Sequence, residues 1–276
     1  MTGTARRTGG VRRRRLLWLP IVVLGGCAAV LIVEARIAVS RNYLPEDPAF
    51  AIDFVAEPRH GAASGTTVEI AVLGDSLVSG LGVDNERDSL PGQIALQTAD
   101  ALGRRVHVTG FGVSGAVTED VRTFQAGQLE RLRPRPDVVV VEVGSNDVTH
   151  RTAPWKMEQR TRQMLRRVRE AAGGAPVILG SAGKLDTPNF LQPLRITIVQ
   201  AARLYRRAQR HAARKEHVRF MDVPHDVSPA FATTPGANSS DAFHPAAPGY
   251  EVWARPLAAD VVDIVRQSDG AGGANA

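Results

Sequence analysis

The chain has 276 residues, 43% of them hydrophobic, and a formal net charge of +6, which suits one α/β domain with appendages or two small domains. Six basic residues (Arg6, Arg7, Arg12, Arg13, Arg14, Arg15) fall in the first fifteen positions without an acid, and the remaining 28 balance 28 acidic residues. The excess charge is thus a local arm and not a nucleic-acid-binding face. The single cysteine, Cys27, excludes a disulfide, a cysteine nucleophile or a cysteine-bound zinc from the rest of the chain.

In chain order, residues 1–15 form a basic arm expected on the cytoplasmic side. Residues 16–33, "LLWLPIVVLGGCAAVLIV", carry no charge. Their length is near the lower limit of about 17–25 residues for a transmembrane helix, and Pro20 stands near the start, where a helix tolerates proline. The arginines before this run, against Glu34 and Arg36 after it, predict a single-pass anchor with the N-terminus inside and the remainder outside. Two alternatives stay open. A cleaved signal peptide would give a secreted protein, and "LGGC" is similar to a lipoprotein processing site that lipidates Cys27. The apolar run continues past the cysteine through "AAVLIV", which favours the uncleaved anchor.

Residues 34–66 carry proline, glycine and small polar residues and read as a linker. Strands are then predicted at Val68–Leu73, Val106–Thr109, Asp137–Val143, Pro176–Leu179 and Val218–Met221. Helices are expected at about Leu90–Leu102, Thr118–Leu132, Lys156–Ala172, Leu194–Glu216 and Pro248–Arg266. Such alternation implies βαβ units and an α/β domain, residues 67–266, with a parallel sheet of about five strands covered on both faces. The run "DVVVVEV" fits a strand buried on both sides. Residues 267–276, rich in glycine and small polar residues, are expected to be disordered. No internal repeat, zinc-ligand pattern or phosphate loop is present, so neither a metal nor a cofactor is expected.

In parallel sheets ligands sit beyond the C-terminal ends of the strands. "GDSL" follows the first predicted strand, "GFGVSG" the second and "GSND" the third. Each block also has a plain structural reading. Ser76 or Asp75 can cap a helix, Gly115 can serve a turn, Asn146 and Asp147 can cap a helix after a strand, and His244 can be a loop residue. Two Asp-x-x-His pairs follow the last predicted strand, Asp222 with His225 and Asp241 with His244.

Taken together, "GDSL" at 74–77, Gly115 in "GVSGAVT", "GSND" at 144–147 and "DAFHP" at 241–245 resemble the four blocks of the SGNH (GDSL-type) hydrolases, in the family's order, across roughly residues 67–266. The resemblance implies a flavodoxin-like three-layer α/β/α sandwich and ester-bond hydrolysis without metal. It implies Ser76 as nucleophile, His244 as general base and Asp241 as the residue orienting the imidazole. The backbone N–H groups of Ser76 and Gly115 and the Asn146 amide would form the oxyanion hole. The second Asp-x-x-His pair is favoured because it matches the family's last block. The "GxSxG" elbow of α/β-hydrolases is absent, since Val78 stands where its second glycine would be.

The expectation is therefore a membrane-anchored serine esterase or lipase acting outside the membrane on ester-bearing small molecules, lipids or glycans through an acyl-enzyme. The alternatives are an envelope acyltransferase, which would pass the acyl group to a sugar hydroxyl, and a non-catalytic envelope-binding module. Residues 183–194, "GKLDTPNFLQPL", are expected in the substrate wall, and Phe111, Phe190 and Phe243 either line it or pack internally.

Overall fold

The strands form where β-branched residues can be buried on both faces of extended backbone. In the computed structural model they are β1 Asp53–Ala56, β2 Val68–Gly74, β3 Val106–Gly112, β4 Val138–Glu142, β5 Val177–Gly180 and β6 Arg219–Met221. The long helices are α1 Gly10–Val39, α2 Leu90–Leu102, α3 Pro154–Ala171, α4 Leu194–Lys215 and α5 Ala247–Gly273. The structure describes residues 10–41, 43–44, 48–150 and 152–273, with side chains from residue 24 to residue 271.

The sheet order is β1-β3-β2-β4-β5-β6. Strands β2 to β6 are parallel, and β1 runs antiparallel along β3. Setting β1 aside, the first parallel strand lies between the second and third, the order of a doubly wound flavodoxin-like sheet.

Two cores follow from the alternation of side chains along the strands. Ile70, Val72, Val138 and Val140 face one layer, with Leu90 and Ile94 of α2 and Tyr250, Leu257 and Val261 of α5. Ala71, Leu73, Val139 and Val141 face the other, with Met164, Leu165 and Val168 of α3 and Ala213 of α4. The buried positions of α3, namely Met157, Thr161, Met164, Leu165 and Val168, fall at helical spacing on one side. Helix α2 starts where Ser89 caps it, its hydroxyl accepting from Gly92 N–H, and ends at Gly103 in the left-handed region.

Two parts differ from the sequence expectation. The segment 34–66 is not only a linker. It contains β1, whose entry is fixed where Ile52 O accepts from Gly110 N–H at 3.0 Å. His107 on β3 lies between Asp53 of β1, at 2.6 Å, and Glu69 of β2, at 2.7 Å. Among the described residues the sheet therefore has six strands. The tail expected to be disordered from residue 267 continues α5 to Gly273. Buried Ile264 and Val265 hold the preceding turn against the core, and Asp269 pairs with Arg104 at 2.9 Å. Residues 274–276 lie outside the described residues.

The arm 1–15 and the start of the predicted anchor, residues 16–23, lie outside the described side chains. The backbone from residue 10 is helical as part of α1. Among the described residues no helix is long and apolar enough to cross a membrane.

Leu165 is fully buried between α3 and the sheet. Leu165→Ala should lower the unfolding free energy by about 2–5 kcal/mol, because the lost transfer energy is joined by an unfilled cavity. Urea denaturation checks this: the midpoint should fall while the slope with denaturant stays unchanged.

Candidate active site

The strand order reverses at β2, which opens a crevice beyond the C-terminal ends of β2 and β4. The chain leaves β2 through Gly74, at φ +155°, where a Cβ would lie 2.0 Å from the Glu142 carbonyl oxygen. Only glycine lets the two backbones pass this closely. Gln125 clamps the same residue: Gly74 N–H donates to its Oε1 at 2.9 Å, and its Nε2 donates to Gly74 O at 2.8 Å. Asp75 then caps a single helical turn, Ser76–Ser79, its carboxylate accepting from Leu77 N–H at 3.1 Å. Ser76 thus stands at the first position of a turn, where backbone N–H groups have no helical acceptor.

The loop after β4 brings in Asn146. Buried Gln209 joins the ends of β4 and β5, donating to Val143 O at 2.8 Å and accepting from Ala182 N–H at 2.9 Å. Asp147 is fully buried and accepts from both the N–H and the hydroxyl of Thr118 at 2.8 Å. Asn146 Nδ2 donates to Ala116 O at 3.1 Å. These bonds tie the Asn146 loop to the loop that carries Gly115. Gly115 has φ +79° with open space around its Cβ position, so backbone conformation and not crowding calls for glycine there. Among the described residues nothing accepts from the backbone N–H of Ser76 or of Gly115. Both donors stay available to an external oxygen.

The third contribution comes just before α5. Asp241 Oδ1 accepts from the Ser239 hydroxyl at 2.7 Å and from the N–H groups of Phe243 and His244, both at 2.9 Å. Its Oδ2 lies 2.7 Å from His244 Nδ1, and His244 Nε2 lies 3.1 Å from Ser76 Oγ. A carboxylate at Nδ1 fixes the proton there and leaves the Nε2 lone pair for the serine hydroxyl. Burial pushes the Asp241 carboxyl up, but the bonds from the His244 backbone and ring, Phe243 N–H and Ser239 outweigh it and bring its pKa to about 2. Ser76, Asp241 and His244 are all buried. Such a set can transfer a proton from Ser76 to His244 and hold the resulting imidazolium.

The other Asp-x-x-His pair is not assembled. His225 is exposed and bonded to Asp226 at 2.6 Å, while Asp222 accepts from the Arg210 guanidinium.

A cavity of about 460 Å³ opens over Ser76, Asn146 and His244. Residues 183–188 form one wall, within the predicted segment, and Leu77, Val223, Val227, Phe231 and Trp253 supply an apolar flank. Of the three phenylalanines, Phe243 lines the cavity. Phe190 is buried and meets the Phe243 ring edge to face, and Phe111 packs against the second core. Gly115 is not part of the cavity lining and reaches the site through its neighbour Ala116.

Residues 72–252 match the GDSL-like Lipase/Acylhydrolase family. The chain belongs to this family. A GDSL-like esterase of Mycobacterium tuberculosis is 29% identical over 201 residues, covering 71% of this chain and 60% of that protein. The chain thus spans about 60% of the length of this curated relative. Among solved structures, the inhibitor-bound aryl esterase of M. smegmatis has a TM-score of 0.57 at 18% identity, covering 71% of this chain and 99% of that one. Est24, a carbohydrate acetylesterase from Sinorhizobium meliloti, has a TM-score of 0.54 at 18% identity, with coverage of 71% and 99%. These two likenesses are of fold.

The GDSL motif of this chain has a buried electrostatic setting that sequence reasoning did not find. Burial raises the Asp75 carboxyl to about 7; the Leu77 N–H opposes this and the Asp147 charge adds to it. Glu142 at the end of β4 is raised well above the usual carboxylate range by burial, with the Asp75 charge reinforcing the shift. Glu142 is the one acid in the otherwise apolar run 138–143, and that was its available signal. Thr118, Gln125 and Gln209 had none, because their partners are far away in sequence.

The raised Asp75 carboxyl keeps its proton in the folded state up to about pH 7, while an unfolded aspartate releases it near pH 3.9. Between these values the folded chain binds more protons, so this residue lowers stability as pH rises. Asp241 has the opposite sign: its contribution is complete above about pH 4 and is lost as pH falls through about 2. In Asp75→Asn the side-chain oxygen can still cap the turn. The variant's stability relative to the wild type should therefore be more favourable at pH 8 than at pH 4. Chemical denaturation at both values tests this, and an equal offset at the two would contradict it.

Proposed function

We propose that the protein hydrolyses carboxylic esters through an acyl-enzyme on Ser76. The observation that carries this reading is the continuous chain of bonds from Asp241 through His244 to Ser76 Oγ, at 2.7 and 3.1 Å, on the floor of the cavity. Ser76 Oγ attacks the ester carbonyl while His244 Nε2 takes its proton. The oxyanion forms beside the Ser76 and Gly115 N–H groups and the Asn146 amide, where fixed donors act strongly in a water-poor site. Collapse of the intermediate expels the alcohol, which takes the proton from His244. A water then repeats the sequence, releasing the acid and restoring the serine. Asp241 remains ionised throughout, which suits its low pKa.

The apolar flank of Leu77, Val223, Val227, Phe231 and Trp253 suits an apolar acyl or aryl group. The related folds named for aryl and acetyl esters agree with an uncharged ester of small or moderate size. A panel of p-nitrophenyl esters of increasing acyl length reads the preference directly.

The localisation we propose is an anchored domain outside the membrane. Its support is the charge-free run 16–33 preceded by the arginine cluster and continued as helix α1. A reporter active only in the cytoplasm, fused to the C-terminus, should be silent; a strong signal would reverse the topology.

For the chemistry, Ser76→Ala should abolish both hydrolysis and fluorophosphonate labelling. His244→Ala should lose several orders of magnitude in kcat yet remain folded, since the serine then lacks a proton acceptor. His225→Ala should retain most of its activity. Wild-type labelling of Ser76→Ala, or an inactive His225→Ala beside an active His244→Ala, would overturn the assignment.

A further inference from the structure

Helix α1 is joined to the domain by more than a tether. Near its end Glu34 is buried, and its Oε2 accepts from Leu194 N–H at 2.7 Å, at the first turn of α4. A carboxylate is favoured there by the unpaired N–H groups and the helix dipole. Ala38, one turn further on, is buried as well. The chain then passes the catalytic loop. Leu44 N–H donates to Asp241 Oδ2 at 3.3 Å, the same oxygen that accepts from His244 Nδ1. The Tyr43 ring meets Phe243 edge to face, with centroids 5.6 Å apart. Phe243 in turn meets the His244 ring at 5.0 Å. Further on, Phe50 packs where a Cβ on Gly80 would lie 3.0 Å from its ring, at the end of the Ser76 turn.

The loop is also held by Asn189, which donates to Asp241 O at 2.8 Å, and by Thr187, which donates to Ala242 O at 2.9 Å. The loop therefore has two supports from distant parts of the chain. One follows β5 in the sheet, and the other precedes the whole domain in sequence. Ala242 at its centre has φ +54°, a conformation that a non-glycine residue holds only when its surroundings impose it.

We propose that Tyr43 and Leu44 are positioning residues of the active site. Leu44 N–H completes the donor set of Asp241, and the Tyr43 ring braces Phe243 behind His244. The placement of α1 against the domain thereby sets how well the base is aimed at Ser76. This proposal rests on the serine, histidine and aspartate roles given above. Neither residue lines the cavity over Ser76, so their loss should act on the chemical step and not on substrate binding.

The test uses the full chain. Leu44→Pro removes the N–H, Tyr43→Ala removes the ring, and Tyr43→Phe keeps it. kcat and KM are measured on a short-chain p-nitrophenyl ester, and the rate of Ser76 labelling by a fluorophosphonate is followed beside His244→Ala. Leu44→Pro and Tyr43→Ala should each lower kcat by about 3- to 10-fold, the size of one modest hydrogen bond or packing contact. KM should stay within about twofold, the labelling rate should fall in proportion, and Tyr43→Phe should restore both. If Leu44→Pro does not fold, Tyr43→Ala and Tyr43→Phe decide alone. Wild-type kcat and labelling in Leu44→Pro and Tyr43→Ala, with His244→Ala inactive, would overturn the positioning role. An active His244→Ala would instead overturn the catalytic reading on which it rests.

Discussion

A serine hydroxyl becomes a nucleophile only when a base lies within hydrogen-bond reach, and Ser76 and His244, the proposed nucleophile and base, are 168 residues apart in the chain. That single contact sets what the rest of the domain has to do. It requires the end of the first parallel strand and the loop before the last helix to meet at one edge, which the strand order provides by reversing at β2. It also requires the meeting point to be rigid. Two buried glutamines, one clamping Gly74 and one bridging the ends of β4 and β5, give that edge side-chain bonds where the ladder of backbone bonds runs out.

The acids around the site fall into two groups by environment. Asp241 gathers donors on both oxygens and stays charged, as the partner of an imidazolium must. Asp75, Glu142 and Asp147 are buried with too few donors and are all raised. The floor of the site is consequently less negative than its composition implies. This matters for the proposed mechanism, in which an oxyanion forms a short distance above it, because full negative charge beneath Ser76 would oppose that step in a medium that screens poorly.

Local signals made the parallel strands and the four motif blocks legible. "VEIAVL" and "DVVVVEV" announce burial on two faces, and "GDSL" and "DAFHP" place Ser76, Asp241 and His244 without any knowledge of contacts. The choice between His225 and His244 needed the family pattern; in the structure His244 lies 3.1 Å from Ser76 Oγ and His225 is exposed beside Asp226. What the sequence hid was everything decided by distant partners. β1 is four residues long in a segment rich in proline and glycine, and it exists because β3 offers an open edge. The end of α5 reads as a flexible tail until Arg104 is known to lie beside Asp269. Tyr43 and Leu44 look like linker residues because nothing near them in sequence shows that Asp241 is their neighbour.

The short edge strand β1 also bears on how this domain behaves in company. It covers β3, which would otherwise present a seven-residue strand with free backbone groups. The new edge is only four residues long, and the opposite edge, β6, is three. Arg219 on β6 is further engaged by Asp260 and Asp263 of α5. Neither border gives an incoming strand enough length to add on, a common defence against edge-to-edge aggregation. Copies crowded together during synthesis can touch side by side without their sheets fusing.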